Sequence, residues 1–122
     1  MLGTLLQWLR WRLWPPTDHA WVEPPDLRRR LRRGEMAMVI DVRTPEEFTG
    51  ELGHIPGALN IPLPSLPGRA ADLARAAMPI VLVCLTDKRS AAAATELAAA
   101  GLRHVSVLRG GMQAWREDSP AG

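Results

Sequence analysis

The stretch "VLVCLTDKRSAAAATELAAAG", residues 81–101, indicates the fold class most clearly, because it joins a strand-like run to a helix-like run through a short polar turn. The apolar start is typical of a buried parallel strand, and the alanine-rich part that ends at Gly101 predicts a helix. Cys84, the only cysteine of the 122 residues, lies at the end of the strand. Most lone cysteines are buried and inert, so the rest of the sequence must decide whether this strand presents Cys84 to a ligand.

Strand-like and helix-like segments alternate along the whole chain. We predict strands in "AWV" (20–22), "MVIDV" (38–42), "ALNIP" (58–62), "IVLVC" (80–84) and "HVSVL" (104–108). We predict helices from Pro24 to Arg33, in "TPEEF" (44–48) with a capping box, in 65–78 with Leu73 and Ala77 on one face, in 90–100 and in 110–118. This alternation indicates an α/β domain with a mostly parallel sheet and helices on both faces.

The composition narrows the class of protein. A chain of 122 residues with 47% hydrophobic content forms one domain, and a single cysteine excludes an internal disulfide, so we expect a reducing, cytoplasmic location. The formal net charge is only +2. The run "LRRRLRR" (27–33) is interpreted as the solvated face of a helix whose Leu27 and Leu31 point inward, so no nucleic acid partner is predicted.

The first 16 residues, "MLGTLLQWLRWRLWPP", are predicted to form an amphipathic helix that ends at two prolines. They are shorter than the about 20 apolar residues of a membrane span, and two arginines interrupt any secretory signal. Residues 1–14 fit self-association or packing on the domain, docking on a protein groove, peripheral attachment to a membrane surface, or disorder. We therefore expect an extension over 1–16, a domain over 17–118 and a flexible tail over 119–122.

The α/β architecture gives Cys84 a location that favours chemistry. Binding sites of parallel α/β sheets form beyond the carboxyl ends of the strands, and the turn after Cys84 leads into a helix N-terminus. Free N–H groups there, together with Lys88 and Arg89, favour a thiolate over a thiol. Asp87 opposes this effect, so we expect its carboxylate to point to solvent or to pair with Lys88. Ser90 can cap the helix or donate a hydrogen bond to a bound anion.

Four segments together resemble the rhodanese (sulfurtransferase) domain family: "VIDVRTPEEF" (39–48), "GHIPGALNIPL" (53–63), "VLVCLTDKRS" (81–90) and "VLRGGMQAW" (107–115). The resemblance covers about residues 20 to 117. It implies a rhodanese-like fold, a five-stranded sheet flanked by helices. It also implies that Cys84 is the nucleophile at the base of a six-residue loop, which continues through Leu85, Thr86, Asp87 and Lys88 to Arg89, with Ser90 at the junction between the loop and the helix.

The activity that the resemblance implies is single-domain sulfur transfer. Cys84 takes sulfur from a donor such as thiosulfate, forms a persulfide, and passes the sulfur to cyanide or a thiol. No metal or organic cofactor is implied, and the histidines lack metal-ligand spacing. We expect Lys88 and Arg89 to attract the sulfonate end of the donor.

Two alternatives remain open. The domain can serve as a sulfur carrier or regulatory binding module with slow turnover. Phosphatase or arsenate-reductase chemistry needs a Cys-(x)5-Arg loop, whereas the spacing here is Cys84-(x)4-Arg89, a ring that fits one sulfur atom better than a phosphate. The sequence does not choose the physiological donor or acceptor.

Several other residues have a structural and a functional interpretation. Asp41 and Arg43 follow a strand at the same sheet edge as Cys84 and either line the entrance or form a structural salt link, which we favour. His54 is predicted to fix its Gly- and Pro-rich turn by a hydrogen bond. Trp115 is expected in the core or against the pocket, and Trp21 in the core.

Overall fold

The structure, a computed structural model, describes residues 19–118. Its strands are β1 (Ala20–Val22), β2 (Met38–Asp41), β3 (Leu59–Asn60), β4 (Ile80–Val83) and β5 (Val105–Leu108). Its helices are α1 (Pro24–Arg32), α2 (Pro45–Phe48), α3 (Ala70–Ala76), α4 (Lys88–Ala99) and α5 (Gly111–Glu117), with 3-10 turns at Leu63–Ser65 and Pro67–Arg69. The predicted extension, residues 1–16, and the tail, 119–122, lie outside the described residues.

The five strands form one sheet in the order β1-β5-β4-β2-β3, and every neighbouring pair is parallel. The predicted five-stranded α/β fold is therefore confirmed. Strand β4 lies in the centre, as its continuous apolar sequence indicates, because a central parallel strand is covered on both faces. All four of its residues are buried.

The core has two halves, one on each face of the sheet. Ile80 and Leu82 of β4 pack with residues of α3 and α4, whereas Val81 and Val83 pack with residues of α1 and α5. This division follows from the alternation of side chains along a strand. Cys84 continues the first of these rows, so its side chain faces α4.

Two predicted side-chain positions are wrong. Trp21 is 41% exposed, because β1 is an edge strand that turns Val22 inward and Trp21 outward, under the guanidinium of Arg109 at 4.4 Å from the ring. Ala77 does not share the buried face of Leu73, because it is exposed and ends α3 in the left-handed region at φ 54°. Pro79 follows two residues later. Proline disfavours the helical conformation of the residue before it, here Met78, so the helix cannot continue past this point.

Several local predictions are confirmed. Leu27 is buried and Leu31 partly buried on the inner side of α1. Thr44 and Glu47 form the predicted capping box: the Glu47 N–H donates to Thr44 Oγ1 and the Thr44 N–H donates to Glu47 Oε1, each at 3.2 Å. His54 Nδ1 lies 2.8 Å from the carbonyl oxygen of Phe48, which fixes its turn.

Within residues 19–118, no helix combines the length and apolarity needed to cross a membrane.

Candidate functional site

Cys84 directly follows β4 and is 1% exposed, with its sulfur against the first turn of α4. The Ser90 N–H donates to Cys84 Sγ at 3.4 Å, and Ser90 Oγ lies 3.3 Å from the same sulfur. The first N–H groups of a helix have no acceptor within the helix and carry its positive partial charge. The sulfur therefore occupies a position where negative charge is stabilised.

The loop after Cys84 is held from its other side by α5. The N–H groups of Met112 and Gln113 donate to the carbonyl oxygens of Cys84 and Leu85 at 2.8 and 3.0 Å. Gly111 adopts a φ of +56°, and a Cβ on it would lie only 2.0 Å from the carbonyl oxygen of Thr86. Gly111, the second glycine of "GGMQAW", thus allows the close approach that places α5 against the loop.

Asp87 is placed differently from the sequence prediction. Its Oδ2 accepts the N–H of Gly110 at 3.1 Å, so the carboxylate neither points freely to solvent nor pairs with Lys88. The reason is that Gly110 is the N-cap residue of α5, and N–H groups at a helix start lack helical acceptors and attract a carboxylate. The hydrogen bond joins the middle of the Cys84 loop to the start of α5.

Asp41 and Arg43 form a buried ion pair, in agreement with the structural interpretation. Arg43 donates through Nη2 to Asp41 Oδ2 at 2.7 Å and through Nε to Oδ1 at 2.9 Å, and both residues are no more than 1% exposed. Arg43 also donates to the carbonyl oxygens of Gly53 and Glu47 at 2.7 and 3.2 Å. The pair ties the end of β2 to the segment around α2, and Asn60 completes the link by donating to the carbonyl oxygens of Asp41 and Arg43.

Arg89, the last residue of the predicted loop, makes a two-pronged ion pair with Glu47 of α2. Its Nη1 and Nη2 donate to Glu47 Oε1 and Oε2 at 2.7 and 2.9 Å. The hydrogen-bonded guanidinium of Arg89 is the main cause that lowers the pKa of Glu47 to about 2. Sequence reasoning missed this pair because the partners are 42 positions apart and Glu47 was already explained by its capping box.

The remaining loop residues are more exposed. Leu85 is 37% exposed, and Thr86 and Lys88 are also on the surface. An open cleft of about 350 Å³ adjoins Leu85 and is lined on its other sides by Glu46, Glu47 and Glu51, among others. Trp115 is 3% exposed and lies in the core, which is one of its two predicted positions.

The comparisons with known proteins identify the class to which this fold and site belong. The family model of the rhodanese-like domain matches residues 23–118, and the chain belongs to this family. The predicted family membership is thereby confirmed. The match includes the Cys84 loop, the Asp41–Arg43 pair and the glycines of α5.

Relatives and solved structures agree with this family. The chain is 36% identical over 100 residues to the thiosulfate sulfurtransferase GlpE of Pseudomonas putida, a match covering 80% of this chain and 86% of that protein. It is 43% identical over 79 residues to the uncharacterized Bacillus subtilis protein YqhL, covering 65% of this chain and 60% of the relative's length. The structure of the human single-domain sulfurtransferase TSTD1 superposes with a TM-score of 0.67 at 32% identity, covering 81% of this chain and 96% of that one.

Proposed function

We propose that this protein is a single-domain sulfurtransferase that moves a sulfane sulfur from an anionic donor to a thiophilic acceptor through a persulfide on Cys84. The observation that carries the proposal is the contact of Cys84 Sγ with the first turn of α4, where the Ser90 N–H donates to it at 3.4 Å. The named activity of relatives such as GlpE supports the same reaction class.

In the first half-reaction, the Cys84 thiolate attacks the outer sulfur of thiosulfate. A new S–S bond forms to Cys84, the original S–S bond breaks, and sulfite leaves with the bonding electron pair. The covalent intermediate divides one transfer into two easier steps. No proton is gained or lost, so the site needs electrostatic stabilisation of sulfur more than it needs a general base.

In the second half-reaction, cyanide or a thiolate attacks the terminal sulfur of the persulfide. Cyanide leaves as thiocyanate, whereas a thiolate acceptor becomes a persulfide, and in both cases the Cys84 thiolate is regenerated. The two steps use the Cys84 side chain and the groups around it, with no metal or organic cofactor.

Fixed donors around Cys84 supply the stabilisation that both steps require. Donors that are preset by the fold stabilise developing negative charge without reorganising during the reaction. The N–H of Ser90 already donates to Sγ, and we assign the N–H groups of the Cys84 loop to the same role toward the terminal sulfur. The bonds from α5 to the carbonyl oxygens of Cys84 and Leu85 keep the loop in this shape.

Steady-state kinetics test the proposal. With thiosulfate and cyanide, we expect sulfite and thiocyanate to form in equal amounts, and we expect parallel double-reciprocal lines, the sign of a covalent intermediate. Cys84→Ser should abolish turnover while keeping the fold, since it replaces one atom. Turnover that survives in Cys84→Ser would overturn the proposal. Thiosulfate binding without turnover would favour the binding-module alternative, and hydrolysis of a phosphate ester would favour the phosphatase alternative.

A further inference from the structure

The Glu47–Arg89 pair occupies the guanidinium that an incoming anion would bind. Glu47 accepts one hydrogen bond from each terminal nitrogen of Arg89, at 2.7 and 2.9 Å, which is the geometry that an anionic ligand would also use. The two side chains are 37% and 32% exposed, so the pair lies at the surface of the site and is open to competition. An anion that binds Arg89 must displace or share Glu47.

The Arg89 guanidinium is also electrostatically coupled to the catalytic sulfur. Its pKa is raised first by the hydrogen-bonded Glu47 and further by the charges of Cys84 and Asp41. Lys88 is exposed, and the other arginine near the site, Arg43, is engaged by buried Asp41.

The negative charge near the loop is larger than this pair alone. Glu46 and Glu51 line the same open cleft beside Leu85 as Glu47 does. Glu46 is exposed and adjacent to Glu47 in α2, but the carboxylate that forms the ion pair with Arg89 is that of Glu47. Glu46 therefore provides a matched control, because its neutralisation removes the same formal charge from the same cleft and leaves the Arg89 pair intact.

From these contacts we infer that Glu47 is a specificity-determining residue: it competes with the anionic group of the sulfur donor for the Arg89 guanidinium and so discriminates against small dianionic donors such as thiosulfate. The inference rests on the proposed function. The sequence-based expectation that Lys88 and Arg89 attract the sulfonate end of the donor then holds for Arg89 only in competition with Glu47. The donors that this arrangement favours carry their sulfane sulfur with less negative charge than thiosulfate does.

The kinetic test compares Glu47→Gln with Glu46→Gln. Glu47→Gln should lower the KM for thiosulfate about fivefold with kcat changed less than twofold, a size typical of an exposed ion pair. Glu46→Gln should change the KM less than twofold. Arg89→Gln, which leaves Glu47 without its partner, should raise the KM, and the double variant Glu47→Gln/Arg89→Gln should return it to within about twofold of wild type.

A second test does not depend on sulfur transfer. Cys84 is the only cysteine, so its alkylation is followed unambiguously by intact mass. The ratio of the rate with iodoacetate, an anion, to the rate with neutral iodoacetamide reports the charge that an incoming anion meets. We expect Glu47→Gln to raise this ratio about fivefold, and Glu46→Gln to leave it within twofold.

The two tests separate the possible failures. If Glu47→Gln turns over thiosulfate with an unchanged or higher KM, and the alkylation ratio is also unchanged, Glu47 only braces the loop and the inference is wrong. If wild type shows no sulfur transfer but the alkylation ratio rises in Glu47→Gln alone, the proposed function fails while the competition for Arg89 stands. An alkylation ratio that rises equally in Glu47→Gln and in Glu46→Gln would show a general effect of the charge in the cleft. It would overturn the assignment to Glu47.

Discussion

Gly111 lies in direct backbone contact with Cys84: a Cβ on Gly111 would be 2.3 Å from the Cys84 carbonyl oxygen. The next residue, Met112, donates its N–H to that same oxygen at 2.8 Å. Helix α5 is thus fitted closely to the peptide unit that follows the Cys84 side chain. This contact explains why Gly111, far from Cys84 in sequence, is part of the site.

Gly111→Ala should destabilise the protein by about 3 kcal/mol, because a methyl group would overlap loop backbone at a positive φ. Sulfur transfer should fall at least tenfold in the fraction that still folds. Gly34→Ala is the control, since Gly34 also has a positive φ of +75° but no atom within 4 Å of the added Cβ, and it should cost about 1 kcal/mol. Urea unfolding gives the free energy of unfolding of both variants. Equal losses of stability in the two would contradict the role given to the close approach of Gly111 to the loop.

Asp41→Asn should cost about 3 kcal/mol, because it leaves the buried Arg43 guanidinium without its compensating charge. The matched control is Asp72→Asn, which breaks an exposed pair with Arg75 and should change stability by less than about 0.5 kcal/mol. Denaturant midpoints of the two variants provide the comparison. If Asp41→Asn unfolds at the wild-type midpoint, the pair does not anchor the end of β2.

Much of the fold follows from local patterns in the sequence. The capping box at Thr44, the burial of the 80–83 strand and the position of Cys84 at its end were all predicted from neighbouring residues. Trp21 and Ala77 were misplaced because apolar character alone does not show which strand forms the sheet edge or where a helix ends. The partners of Asp87 and Arg89 were missed because each lies on another element, Gly110 and Glu47, and is brought close only by folding.

Glu47 should make the stability of the protein sensitive to acid. Since Arg89 lowers the pKa of Glu47 from 4.5 to about 2, its ionised form stabilises the fold above pH 4.5, and this contribution is lost as the pH falls toward 2. The free energy of unfolding of wild type should exceed that of Glu47→Gln by about 1 kcal/mol at pH 6, a modest value because solvent screens the pair. The difference should vanish near pH 2.

Unfolding measured from pH 2 to pH 7 tests this expectation. Glu46→Gln, which leaves the Arg89 pair in place, should follow the wild-type curve. A constant gap between wild type and Glu47→Gln at all pH values would show that the stabilisation does not depend on the ionised carboxylate.

Ser90→Ala should slow persulfide formation about tenfold. The hydroxyl donates to the Asp87 carbonyl oxygen at 3.2 Å and lies 3.3 Å from Cys84 Sγ, so it can turn its proton to a thiolate or persulfide. The Ser90 N–H remains, so part of the activity should survive. Ser106→Ala removes a hydroxyl that donates to the Ile80 carbonyl oxygen at 3.3 Å, at the amino end of β4, and serves as the control. Rapid-mixing measurement of sulfite release distinguishes them, and equal rates in both variants would exclude a role for the Ser90 hydroxyl.

The most direct measurement is the intact mass of the protein after brief incubation with thiosulfate. Wild type should gain the mass of one sulfur atom, lose it on addition of cyanide, and regain the original mass. Cys84→Ser should gain nothing under the same conditions. Wild type without added mass, tested also with glutathione persulfide as a donor of lower charge, would contradict sulfur transfer through Cys84.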